Sequence, residues 1–246
     1  MEAIVLSGSH GSGMVDALSD YDLYVYSDQP IHADARRSVL HAYCRSMEWD
    51  NRFWETEDDG LLADGTPVEF IYRSFNWLEG VLTPVVEGAQ ASVGYTTCFW
   101  ANLLNSRILF DRHGRAAALQ ARFKVPYPAR LQQAIIAKNL PLLAHASCSY
   151  LHQIEFALQR DDRLSVQHRL AGLLASYFDI LFAAYQKPHP GEKRLLLHLA
   201  ALPDAPDHGI HRLLAAAVVS PAELPGLLRQ LDTDLRAWLK TRNLQD

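Results

Sequence analysis

The chemistry in this chain concentrates between Leu6 and Val25. That stretch reads Leu6-Ser7-Gly8-Ser9-His10-Gly11-Ser12-Gly13, then Met14 to Leu18, then Ser19-Asp20-Tyr21-Asp22-Leu23-Tyr24-Val25. Side chains alternate along a strand, so Asp20 and Asp22 project from the same face. Two ionised carboxylates about 4 Å apart repel by roughly 4 kcal/mol at an effective dielectric of about 20. A divalent cation removes that conflict, and oxygen-only ligands that leave coordination positions for phosphate oxygens suit Mg²⁺. Upstream, a strand ending in Gly8-Ser9 and followed by further glycines can turn its backbone N–H groups toward an anion. The Ser9 hydroxyl is a further donor, and together they form a cradle for a triphosphate. Taken alone, Ser19-Asp20-Tyr21-Asp22 also reads as a capped turn before a strand. The glycine turn at a fixed distance upstream favours the metal-and-phosphate reading.

That distance is informative. Gly8-Ser9 is followed after ten residues by Asp20-Tyr21-Asp22, with Gly13 four after the serine and Ser19 before the first acid. The pattern resembles the signature of the DNA polymerase beta-like nucleotidyltransferase superfamily. The resemblance implies metal-dependent attack on the alpha-phosphate of a nucleoside triphosphate, with ATP the expected one, and release of pyrophosphate. Asp20 and Asp22 would hold one or two Mg²⁺ ions, and Gly8, Ser9, Gly13 and Ser19 the nucleotide. The likeness extends over the strand and helix order of about the first 110 residues. Beyond them only a general likeness to the helical domains of antibiotic-modifying members remains. The chain departs from the pattern in two ways: His10-Gly11-Ser12-Gly13 replaces the small-Arg-Gly often found in the loop, and the chain begins at the first strand without the usual preceding helix. The resemblance also calls for a third acid on a neighbouring strand. Glu69 is the candidate, as metal ligand or as general base, because it stands between apolar residues where a charge needs a reason. Asp64 is weaker, since Asp64-Gly65 has a turn explanation.

Other residues carry less. Lys193 and Arg194 follow a turn and open a predicted helix, where cations oppose the helix dipole; they are candidates for binding triphosphate or are simply solvated charges. Asp179 interrupts the apolar run Tyr177-Phe178-Asp179-Ile180-Leu181-Phe182 and reads as a functional acid or, preferably, a buried partner for a base. His10 reads as an exposed loop residue. Trp77, Trp100 and Tyr95 fit a core better than a stack on a nucleobase. His145, His152, His168, His198, His208 and His211 lack zinc-site spacing.

The elements that must position these residues fall in two blocks. Strands are predicted at Ala3 to Leu6, Leu23 to Tyr26, Arg52 to Glu55, Val68 to Tyr72 and Arg107 to Phe110, with a hairpin turn at Asp64-Gly65. A surface helix is predicted between Ile31 and Met47 and another from Arg115 to Phe123. Past the linker Val125-Pro126-Tyr127-Pro128 helical periodicity takes over: Arg130 to Ala144, Tyr150 to Gln159, Val166 to Tyr185, Glu192 to Leu202, Ile210 to Val218 and Pro221 to Lys240. Breaks fall at Pro188 to Gly191, at Leu202 to Pro206, and at Ser220-Pro221, read as an N-cap with proline at the first helical position. The expected fold is α+β: a nucleotidyltransferase-type domain over residues 1–126, a small mixed sheet with helices, then an all-α bundle over 127–246 that binds substrate or dimerises.

Composition bounds the function. A chain of 246 residues with 49% hydrophobic and 21% charged content builds a core, and no apolar run approaches a membrane span. A net charge of −5 disfavours a nucleic-acid substrate and suits a cationic small molecule. Cys44, Cys98 and Cys148 form neither a disulfide framework nor a zinc knuckle, and with an amino terminus lacking a signal pattern they point to the cytoplasm. The expected function is transfer of a nucleoside monophosphate to a hydroxyl of a small molecule, such as an aminoglycoside-like antibiotic or a metabolite. Alternatives are a protein-modifying nucleotidyltransferase of antitoxin type and a non-catalytic nucleotide-binding module.

Overall fold

The computed structural model describes residues 1–204, 206 and 209–245. Its α+β architecture starts from a mixed sheet. β1 (Ala3–Leu6) leads through a short helix, α1 (Gly8–Ser12), into β2 (Tyr21–Tyr26), and after α2 (Ala33–Leu40) come β3 (Cys44–Asn51), β4 (Thr56–Leu62), β5 (Pro67–Arg73) and, later, β6 (Arg107–Asp111). The order across the sheet is β3-β4-β5-β2-β1-β6. Neighbours run antiparallel except β2 and β5, which are parallel. Parallel strands need a long connection, and α2 with the β3–β4 hairpin supplies it. Tyr24, Val25 and Tyr26 are buried, as β-branched and aromatic residues are in a strand at the middle of a covered sheet. At the β4–β5 turn Thr66 N–H donates to Asp64 Oδ1 at 2.9 Å and Leu62 N–H to the Thr66 carbonyl at 2.8 Å.

Two sequence expectations need correction here. The helix predicted from Ile31 to Met47 ends at Leu40, and its last predicted turns belong to β3. Tyr43, Cys44 and Met47 match a helical period, but pairing with β4 satisfies this backbone instead, a tertiary contact overriding local pattern. The strand predicted at Arg52 to Glu55 is the turn between β3 and β4. Phe53 and Trp54 stand 81% and 89% exposed there, so their alternation encodes no buried face.

The chain divides into two compact units, Met1–Pro84 with Phe99–Pro126 and Val85–Cys98 with Tyr127–Asp246. The first unit adds to the sheet α3 (Phe75–Leu82), nearly all of α4 (Cys98–Asn105) and α5 (Arg115–Phe123). Ser74 caps α3, its hydroxyl accepting from Trp77 N–H at 3.1 Å. Trp100, fully in the core, donates its indole N–H to the Phe123 carbonyl at 2.8 Å.

The second unit is helical: α6 (Ala129–Ala144), α7 (Tyr150–Gln159), α8 (Arg163–Ala184), α9 (Leu195–Ala200), α10 (Ile210–Val219) and α11 (Leu224–Thr241). From Ala175 to Ala184 every residue of α8 is buried, the signature of a helix enclosed on all sides. Its Leu173 and Ile180 share one core with Leu143, Ile154, Leu231 and Leu235. α9 starts at Leu195, later than predicted, which leaves Lys193 and Arg194 in the turn before it. Ser220 makes no capping bond: Pro221–Glu223 forms a single 3-10 turn before α11. His208, and Ala205 in the predicted break, lie outside the described residues. No helix among the described residues is long and apolar enough to cross a membrane.

Candidate active site

The parallel pairing of β2 and β5 sets Asp22 directly beside Glu69, so both side chains leave the same face of the sheet. Asp20 stands just before β2. One carboxylate oxygen from each of Asp20, Asp22 and Glu69 lies within 4.8 Å of the others, and all three residues are partly buried. Among the described residues no other group of three metal-capable side chains comes this close. Three carboxylates at such separations repel strongly unless a cation sits among them, and hard oxygen donors at this spacing fit Mg²⁺.

The glycine turn is pressed onto this cluster. Gly8 has φ +57°, and a Cβ built there would stand 1.7 Å from Asp22 Oδ2. Any side chain at position 8 would thus occupy the carboxylate's own volume, on a backbone conformation that glycine adopts without strain. Ser7 N–H donates to the Asp22 carbonyl at 2.9 Å, extending the β1–β2 ladder up to the turn. The Ser7 and Ser106 hydroxyls bond to each other, and Ser106 donates to the Asn102 carbonyl at 2.7 Å, which ties the turn to the end of α4. α1 closes at Gly13, left-handed at φ +77°, with Met14 N–H reaching the Ser9 carbonyl at 3.0 Å. His10 stacks on Tyr21, ring centroids 4.2 Å apart, joining α1 to the strand that carries the acids. Ser19 works inside the loop: its hydroxyl accepts from Asp16 N–H at 2.9 Å and donates to Asp16 Oδ1 at 3.1 Å.

More acids line up on the same face. Asp59 of β4 pairs with Glu69, and Glu48 of β3 pairs with Asp59. Asp22, Glu69, Asp59 and Glu48 therefore form a row across four adjacent strands. Glu57, opposite Ile71, lies on this face too; burial first, then the charges of Asp59 and Glu55, hold its pKa above the usual carboxylate range. Arg73, further along β5, is taken by Glu55 in a two-pronged ion pair and stacks over Tyr24 at 4.3 Å and Trp77 at 4.7 Å. Glu57 and Asp59 share a face once β4 is recognised, whereas Glu48 follows directly on the residues predicted as helix and gains its place only from the β3–β4 pairing.

Lys193 is exposed, in the second unit, on the turn before α9. Among the described residues no base bonds to Asp179. Its carboxylate accepts from Thr96 N–H at 3.1 Å, the Thr96 hydroxyl at 2.6 Å and Asn139 Nδ2 at 3.4 Å, so the expected cationic partner is replaced by neutral donors. Burial pushes it up to about 6 against two hydrogen bonds from Thr96. Tyr95 packs edge-on to His189 and Trp77 edge-on to Phe99, at 5.0 and 5.3 Å between centroids.

No family model and no curated protein matches the chain by sequence. Among solved structures it is similar to a nucleotidyltransferase-like protein from Exiguobacterium sibiricum 255-15, at 12% identity and a TM-score of 0.45 over 99% of this chain and 70% of that one.

Proposed function

We propose that the chain is a Mg²⁺-dependent nucleotidyltransferase that transfers a nucleoside monophosphate, from ATP by preference, to a hydroxyl of a small molecule bearing ammonium groups, as aminoglycosides do. The observation that carries this is the meeting of three carboxylates with a glycine turn packed against one of them. Asp20, Asp22 and Glu69 would hold Mg²⁺, which neutralises charge on phosphate oxygens when bound. Gly8 and Ser9 turn backbone N–H groups to the triphosphate, and Gly13 and Ser19 fix the loop that presents them. The acceptor oxygen attacks the alpha-phosphorus, the bond to the bridging oxygen of the beta-phosphate breaks, and pyrophosphate leaves. Glu69, where it is not bound to metal, would receive the hydroxyl proton. The row continuing through Asp59 and Glu48 supports a cationic acceptor, since ammonium groups laid along it would relieve like-charge repulsion. The helical unit is proposed to bind substrate or to dimerise.

The test is pyrophosphate release with each nucleoside triphosphate over a panel of aminoglycosides, lincosamides and hydroxylated metabolites. A productive pair is expected, abolished by EDTA and lowered at least ~10³-fold by Asp22→Asn. Wild-type turnover in Asp22→Asn would end the assignment. Label from ATP appearing on a protein instead would move the acceptor class to a polypeptide.

A further inference from the structure

The glycine turn is seated on the end of a helix from a distant part of the chain. Ser7, the residue before Gly8, has its side chain in the core, and Ser106 is buried where α4 gives way to β6. Their hydroxyls bond to each other across 99 positions of sequence. Ser106 donates its one hydroxyl hydrogen to the Asn102 carbonyl at 2.7 Å, so the hydrogen between the two serines comes from Ser7. The result is a directed chain from Ser7 through Ser106 to α4. The end of α4 is fixed in turn by Gln120 of α5, whose amide donates to the Leu103 carbonyl at 2.9 Å and the Ser106 carbonyl at 2.7 Å. A helix end leaves such carbonyls without intrahelical partners.

α1 meets the same platform through its backbone. A Cβ built at Gly11 would stand 3.0 Å from the Asn105 carbonyl oxygen and 2.9 Å from that of Leu6, so glycine is what lets the two helices lie this close. The Ser7 carbonyl accepts from Gly11 N–H at 2.7 Å, while Ser7 N–H donates to the Asp22 carbonyl at 2.9 Å. One residue therefore ties the turn to α1, to the strand that carries Asp22 and, through its hydroxyl, to α4. Stability alone does not ask for the serine pair, because two buried hydroxyls that satisfy each other contribute little more than apolar groups of the same shape. Their bonds are directional, however, and fix one arrangement of the groups they join. Position matters at this point, since Gly8 is packed against Asp22 Oδ2. A displacement of about 1 Å at a reacting centre can cost on the order of 10²-fold in rate.

We propose that Ser106 is a positioning residue for the nucleotide: through Ser7 it holds the glycine turn at the distance from Asp22 at which the turn and the metal-binding acids engage the same triphosphate. The role rests on the nucleotidyltransferase reading and adds a determinant from outside its motif.

Ser106→Ala leaves the Ser7 hydroxyl buried without its acceptor, and the melting temperature should fall by about 2–4 °C. Combining Ser7→Ala with Ser106→Ala removes both hydroxyls, while the Asn102 carbonyl keeps its bond from the backbone N–H of residue 106 at 3.0 Å. The double variant should therefore melt within about 1 °C of wild type. Calorimetry then compares these two proteins as full chains, with Mg²⁺ alone and with α,β-methylene-ATP plus Mg²⁺. The double variant is expected to bind Mg²⁺ as wild type does and the nucleotide analogue at least about tenfold more weakly. A pair that only stabilised the fold would move neither affinity in a protein that melts normally. Equal nucleotide affinity in the two proteins overturns the role of Ser106 and leaves the reading of the site standing. Parallel loss of Mg²⁺ and nucleotide overturns it as well, because the acids themselves would then have moved. Absence of analogue binding to wild type up to about 5 mM overturns the nucleotidyltransferase reading, and the role of Ser106 with it.

Discussion

Asp179 and His189 are two buried titratable groups of the second unit, and their pH dependences oppose one another. Asp179 is held at about 6, above the ordinary aspartate value, first by burial. It therefore favours the fold at low pH, and that contribution is lost as pH rises from about 4 to about 6. His189 is pushed down to about 4, first by burial and then by His198. Gly191 N–H donates to its Nδ1 at 3.1 Å, which fixes a neutral ring. Its contribution is present above the ordinary histidine value and lost as pH falls from about 6.5 to about 4. Each shift is worth roughly 3 kcal/mol by linkage, so over this window they nearly cancel in the wild type. Asp179→Asn should make the chain lose stability on acidification between about pH 6.5 and 4, relative to wild type, whereas His189→Gln should make it gain. Denaturant titrations at several pH values check both slopes, and parallel curves for the three proteins would refute the pairing.

At the level of elements, the position of Glu69 depends on register. Side chains alternate, so a one-residue slip in β5 sends its acid to the opposite face. Inserting one alanine between Val68 and Glu69 is expected to abolish Mg²⁺ binding measured by calorimetry. An added glycine after Asp64, in the exposed turn, should preserve it, because turns absorb insertions at small cost. The same distinction explains what could be read from sequence. β1, β5, β6, α5, α7 and most of the second unit announce themselves through unbroken periodicity and punctuation by proline and glycine. β3 and β4 do not: β3 is an edge strand whose residues are mostly exposed or half-buried, and Gly60 breaks the pattern of β4. The neighbours of Asp20, Asp22 and Gly8 were legible because the motif is local. Partners such as Ser106, Asp59 and Glu48 come from distant parts of the chain, and only the strand order assigns them.

At the scale of the whole molecule, the chain does not divide at a single point. Val85–Cys98 belongs with the helices that follow Tyr127. This segment supplies the Gly94 N–H that Asn139 Oδ1 accepts at 3.0 Å, the Thr96 donors of Asp179, and the Thr97 hydroxyl that accepts from His189 N–H at 2.7 Å. Without it a buried carboxylate and a buried amide lose their partners, at about 1–3 kcal/mol for each unsatisfied group. A fragment of residues 127–246 is therefore expected to lack a cooperative thermal transition, and a peptide of residues 85–98 added in trans should restore one. A sharp melt of the fragment alone would contradict this dependence.

Thr96 and Asp179 are separated by 83 positions in the chain. At a synthesis rate of about 5–20 residues per second, the segment holding Thr96 leaves the ribosome ~4–17 s before its partner is made. During that interval the nascent chain carries Thr96 without the α8 carboxylate it will bind, a window in which a chaperone has something to hold and a protease something to cut.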